Sequence, residues 1–83
     1  MSDYEKKQLE KEFKKFTSRH FESPARCKNL GQIQFYVSEL TLKITEYRDR
    51  FNHVPQHAYA LLHDYNMSQN KLIFRNFQKE YSF

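Results

Sequence analysis

Leu30, Ile33, Val37, Leu40, Ile44, Tyr47 and Phe51 recur at alternating steps of three and four residues, with an apolar or aromatic side chain at all seven positions. Such steps keep side chains on one narrow face of a 3.6-residue helix, so the segment is expected to form about six helical turns and bury one side against other helices. The pattern specifies architecture. It names no chemistry.

A second helix-forming segment precedes it. Ser2 followed three residues later by Glu5 has the form of a capping box, and Asp3 places negative charge at the positive end of the helix dipole. The first helix is expected to run to about Arg19 with Leu9, Phe13, Phe16 and His20 as its inward row, leaving Glu10, Lys14 and the other charges on a solvated face. Phe21-Glu22-Ser23-Pro24 ends it, because Pro24 disfavours helical geometry at Ser23 and itself suits the first position of a new turn. Residues 24–28 can form a short separate turn. Asn29, with Gln32 three residues on, then caps the second helix near Leu30.

At the other end of that helix, Asn52 tolerates left-handed geometry and Pro55 blocks continuation while suiting the start of a third helix. The second and third helices are therefore expected to pair as an antiparallel hairpin. Ala58, Leu61, Leu62 and Tyr65 define one face of the third, whereas Ile73, Phe74, Phe77 and Tyr81 fall roughly 100° further round if the helix is continuous. The sequence favours a break near 66–68, with Asn66 ending one helix and Ser68 capping the next. The alternative is one long helix whose apolar stripe rotates from one neighbour to another. Either arrangement gives an all-α bundle of three main helices forming a single domain over residues 1–83.

Composition narrows the function classes. At 83 residues, with 39% apolar and 17% aromatic content, the chain has enough for a thin core. A domain of this size buries only about 60 to 65% of its unfolded surface, which makes added stability from a partner or from self-association plausible. The net charge of +4 and pI near 9.3 permit anionic partners without requiring them. One cysteine, Cys27, allows no internal disulfide, and the charged start MSDYEKKQLEKEF is neither a secretory signal nor a membrane span. The expected setting is the cytoplasm.

Catalytic and metal signatures are weak. His53, His57 and His63 do not stack on one helix face, and a site assembled from His57, His63 and Asp64 would depend wholly on the fold. Cys27 lies between Arg26 and Lys28, a setting that can lower a thiol pKa, although a lone cysteine is more often a small buried residue. With one glycine in the chain there is no phosphate-cradling loop. No enzyme, cofactor or metal is expected.

Residues 65–79 contain no acidic residue, and Lys71, Arg75 and Lys79 follow one another at steps of four. They form a basic row suited to phosphate, or simply a solvated face. Leu61 to Leu72 also resembles the middle of a helix-turn-helix: Leu61 and Leu62 in the first helix, Asn66 and Met67 in the turn, Ser68 capping the second. That resemblance implies that Gln69, Asn70 and Lys71 approach bases or phosphates.

Phe35 and Leu42, seven residues apart, lie opposite the seam of the second helix. Phe13 and Phe16 of the first helix are expected to cover them; if that helix docks elsewhere, they become a patch for another protein or a second subunit. The expected function is a small non-enzymatic interaction or regulatory module acting through apolar and aromatic helix faces, with self-association into a homodimer among its options. DNA binding through residues 58–81 is the alternative.

Overall fold

The computed structural model describes residues 2–81, with side chains described through residue 77. Three helices, α1 (Asp3–His20), α2 (Leu30–Phe51) and α3 (Gln56–Tyr81), are joined by a single 3-10 turn, Pro24–Arg26, and a tight α2–α3 corner. The described residues contain no strand, and the fold is a small all-α bundle. α2 and α3 form its principal interface as an antiparallel hairpin.

The helix boundaries follow local chemistry. The Ser2 hydroxyl accepts a hydrogen bond from the Glu5 N–H at 3.2 Å, and Asn29 Oδ1 accepts one from the Gln32 N–H at 2.8 Å. Each satisfies a donor that the first helical turn leaves open. Asn52 closes α2 in the left-handed region, φ 51° and ψ 31°, a conformation asparagine tolerates better than most residues. Pro55 is buried and accepts from the Ala58 N–H, so it starts α3 where its own missing N–H is harmless.

The seam of α2 is the core. Ile33 and Leu40 are fully buried, Ile44 nearly so, and they pack with Phe13, Cys27, Ala58 and Tyr65, while Val37 and Tyr47 pack half-buried against that cluster. α1 joins through rings: Phe13 meets Tyr47 edge-on at 5.6 Å and His57 at 6.1 Å, and Phe21 lies 5.4 Å from Tyr36. Lys43 Nζ sits 4.9 Å above the Phe16 ring and also pairs with Glu46 at 3.3 Å, tying α1 to α2 at their exposed edge.

Four expectations are corrected. α3 is one continuous helix through Asn66 and Ser68, and Ile73, Phe74 and Phe77 are 48–61% exposed, so the described part of the second apolar row is an outer surface; the side chain of Tyr81, the last of that row, lies outside the described residues. Asn and Ser are poor helix formers by only a few tenths of a kcal/mol each, and without Gly or Pro between 56 and 81 nothing forces a stop. On α1, Thr17 occupies the inward place while His20 is exposed and lies 4.6 Å from the Phe16 ring. Thr17 fits because its hydroxyl donates to the Lys14 carbonyl at 3.1 Å. Glu10 does not join the solvated face: its carboxylate accepts from the N–H groups of Gln56 and His57 at 3.0 and 3.1 Å. Finally, α1 leaves Phe35 and Leu42 60% and 65% exposed, because its aromatic row docks on the side of α2 where Tyr36, Lys43 and Tyr47 lie.

Candidate functional site

Antiparallel register determines how far α3 is covered. Tyr36 stacks on Tyr65 at 5.7 Å, so Leu30, where α2 begins six residues earlier, lies opposite residues near Lys71 and Leu72. Beyond that point α3 outruns α2. The molecule is accordingly long and narrow, 58 × 21 × 17 Å.

The outer side of α3 is divided lengthwise. Taking Tyr65 as pointing inward, Tyr59, His63, Asn66, Asn70, Ile73 and Phe77 recur at steps of four and three on the side away from α1 and α2, flanked by Met67 and Phe74. All eight are exposed, and none is Lys, Arg, Asp or Glu. Among the described residues, five of the eight large apolar side chains that are strongly exposed lie on this stripe: Tyr59, Met67, Ile73, Phe74 and Phe77. A solvated helix face normally carries charge at most of its positions. This spacing is legible in the sequence, but Asn66 and Asn70 hide it, because local propensity assigns them to a turn.

Phe35 and Leu42 form a second, smaller apolar surface on the back of α2, with Phe35 also 5.5 Å from the Tyr36 ring. It faces away from α3.

The basic residues occupy the other flank of α3. Lys71 and Arg75 are exposed and line a cleft of about 510 Å³ together with Ser68, Leu72, Lys28, Cys27, Pro24 and Ala25. Lys28 is the contribution that spacing alone did not reveal. Among the described residues, no acidic side chain lines the cleft. Lys79, the last of the row, has its side chain outside the described residues. Gln69 is half-buried and Asn70 lies on the stripe, so the consecutive residues 69–71 diverge round the helix instead of sharing a reading edge. The turn implied by the helix-turn-helix resemblance is absent, since 61–72 are all helical.

The remaining candidates are dispersed. The Cys27 thiol is buried and donates to the Ser23 carbonyl at 3.5 Å; burial, then the neighbouring Glu22 charge, push its pKa up, the opposite of an activated nucleophile. Tyr65 is fully buried, its hydroxyl donates to the Glu22 carbonyl, and burial, followed by Cys27, Tyr36 and Glu22, pushes the phenol pKa up as well. His57 packs on Phe13 at the start of α3, His63 lies on the outer stripe, and Asp64 is on the basic flank. The three do not converge. Among the described residues, no group of three His, Cys, Asp or Glu is placed to hold a metal, and no helix is long and apolar enough to cross a membrane. No known protein family matches the chain, and no curated protein or solved structure shows significant similarity to it.

Proposed function

We propose that this protein is a small, non-enzymatic interaction module that engages other polypeptides through apolar helix faces. The observation that carries this reading is the uncharged outer stripe of α3, about 27 Å long between Tyr59 and Phe77 at 1.5 Å per residue. Large exposed apolar surfaces are a liability in a monomer and mark places where another molecule binds. The Phe35–Leu42 patch supplies a second, separate face. A cytoplasmic, reducing setting suits a chain whose single thiol is buried and unpaired.

The test is a photo-crosslinking residue installed at Phe35 or at Phe74 in living cells. Discrete protein adducts, competed away by untagged wild-type protein, support the module; solvent-quenched products alone at both positions contradict it.

A second reading rests on the cleft where Lys28 joins Lys71 and Arg75 with no opposing carboxylate among the described residues. Three cations around one cleft suit backbone phosphates, and nucleic-acid binding there would be insensitive to sequence, because the residues that would read bases diverge. Titration of duplex DNA at two salt concentrations checks it. Replacing Lys28, Lys71 and Arg75 with Gln should flatten the salt dependence by up to about three units of slope. Absence of binding by the wild type at low salt removes this reading.

A further inference from the structure

We propose that the cleft between α3 and the Pro24–Lys28 segment is a binding site for a phosphate monoester, with Lys28, Lys71 and Arg75 taking its dianion. The proposal goes beyond the nucleic-acid reading of the same cleft and does not depend on it: one phosphoryl group on a short stem is the ligand, and no polymer is required.

Charge singles the cleft out. Lys71 and Arg75 are four residues apart on one helix, a like-charge spacing that destabilises a helix, and the turn before α2 brings Lys28 to the same cleft. Among the described residues no carboxylate pairs with any of the three. α2 shows the ordinary arrangement: Glu46 pairs with Lys43 at 3.3 Å and with Arg50 at 3.5 Å. A cluster of three uncompensated cations lowers stability unless an anion joins it, and a dianion answers it better than a single carboxylate does.

The wall that carries Lys28 is fixed in place. The Tyr65 hydroxyl donates to the Glu22 carbonyl, which ties the start of the segment to α3, and Cys27 is buried in the core with its thiol donating to the Ser23 carbonyl. At the far end the Lys28 N–H donates to Gln32 Oε1 at 3.3 Å, inside the cap of α2. Lys28 therefore meets α3 from a set direction, and little backbone ordering is left to oppose binding. The dimensions then select the ligand. The cleft holds about 510 Å³, and from Ser68 to Arg75 α3 advances only about 10 Å, room for one phosphoryl group and a short stem but not for a run of nucleotides. Arg75 offers a planar fork for two phosphate oxygens, the lysines act as point charges, and the Ser68 hydroxyl is a further donor in the lining. Leu72, Pro24 and Ala25 supply small apolar walls, and among the described residues no aromatic ring lines the cleft on which a base could stack. A phosphorylated serine side chain of a partner and a small phosphorylated alcohol share this chemistry.

Titration of the isotope-labelled full chain with inorganic phosphate at about pH 7.5 and constant ionic strength, followed by amide chemical shifts, tests the site. Saturable shifts confined to residues 24–28 and 68–75 are expected, with half-saturation at about 1 to 10 mM. K28Q/K71Q/R75Q should lose them while keeping its helical circular dichroism. K6Q/K7Q/K11Q, which removes the same charge from exposed positions on α1, should keep half-saturation within about twofold of the wild type. Acetate at equal ionic strength should bind at least about tenfold more weakly. A phosphoserine peptide and glycerol phosphate then separate the two sources: the one that binds more tightly than inorganic phosphate identifies the stem, and equal binding by all three still places recognition in the phosphoryl group. Shifts that stay linear to about 50 mM, that spread over the lysines of α1, or that survive K28Q/K71Q/R75Q each overturn the proposal. Acetate matching phosphate does so too. Duplex DNA bound by the wild type in such a case would leave the nucleic-acid reading standing, and protein adducts at Phe74 the interaction-module reading, so each fails separately.

Discussion

Glu10 and His57 are 47 positions apart in the chain, yet the Glu10 carboxylate caps α3 by accepting the His57 N–H at 3.1 Å while its other oxygen takes the Gln56 N–H. The first turn of α3 has no acidic residue of its own, so α1 supplies the negative charge that the helix dipole favours there. This cap and the Phe13 ring together fix α1 across the start of the hairpin.

Replacing Glu10 with Ala should therefore destabilise the fold by about 1 kcal/mol, the typical worth of a helix N-cap. Glu12→Ala, at an exposed position on the same helix, should change stability by less than about 0.5 kcal/mol. Urea denaturation of both variants measures the difference. Equal effects would mean that the Glu10 contact contributes nothing beyond surface charge.

Leu40 is fully buried and Ile44 almost so in the centre of the α2 seam. Leu40→Ala or Ile44→Ala should cost about 2 to 5 kcal/mol through lost contact and a residual cavity. In a domain this small, that approaches the whole of its stability. Loss of a cooperative denaturation transition is the expected phenotype, and a wild-type midpoint at either site would contradict the seam's role.

Tyr65 ties α3 to the end of α1 through the Glu22 carbonyl. Tyr65→Phe keeps the ring and removes that bond, with an expected loss of about 1 to 2 kcal/mol. The pH dependence follows from Cys27 and Tyr65 both holding their protons more tightly when folded. Below their ordinary values of 9.0 and 10.0 both are protonated in either state, and the stability linked to them is fully present. Above about pH 9 the unfolded chain loses protons first, so stability falls as pH rises toward the folded-state values. Denaturation midpoints at pH 8, 9 and 10 should show the fall for the wild type and a shallower one for Tyr65→Phe near pH 10.

What was legible in the sequence was local. Ser2, Asn29, Asn52 and Pro55 each mark a boundary by their own backbone chemistry, and the α2 seam identifies its buried face through its period. The Glu10 cap was not legible, because its partners lie in another helix and no spacing rule links position 10 to position 56. The continuity of α3 was hidden for a related reason. Asn66, Ser68 and Asn70 favour turns in isolation, whereas the pairing of the helix with α2 as far as Leu72 holds them helical. The same residues concealed the outer stripe. The Lys28 contribution to the basic cleft depends on the Pro24–Arg26 turn folding back on α3, which charge spacing cannot express.

The account holds that the exposed apolar faces serve binding and not the fold. Equilibrium denaturation of F35S/L42S and I73S/F74S, with the protein dilute enough to be monomeric, tests this most directly. Both double variants should unfold within about 0.5 kcal/mol of the wild type, as surface substitutions do. A loss above about 2 kcal/mol in either would place that pair in the core and contradict the account.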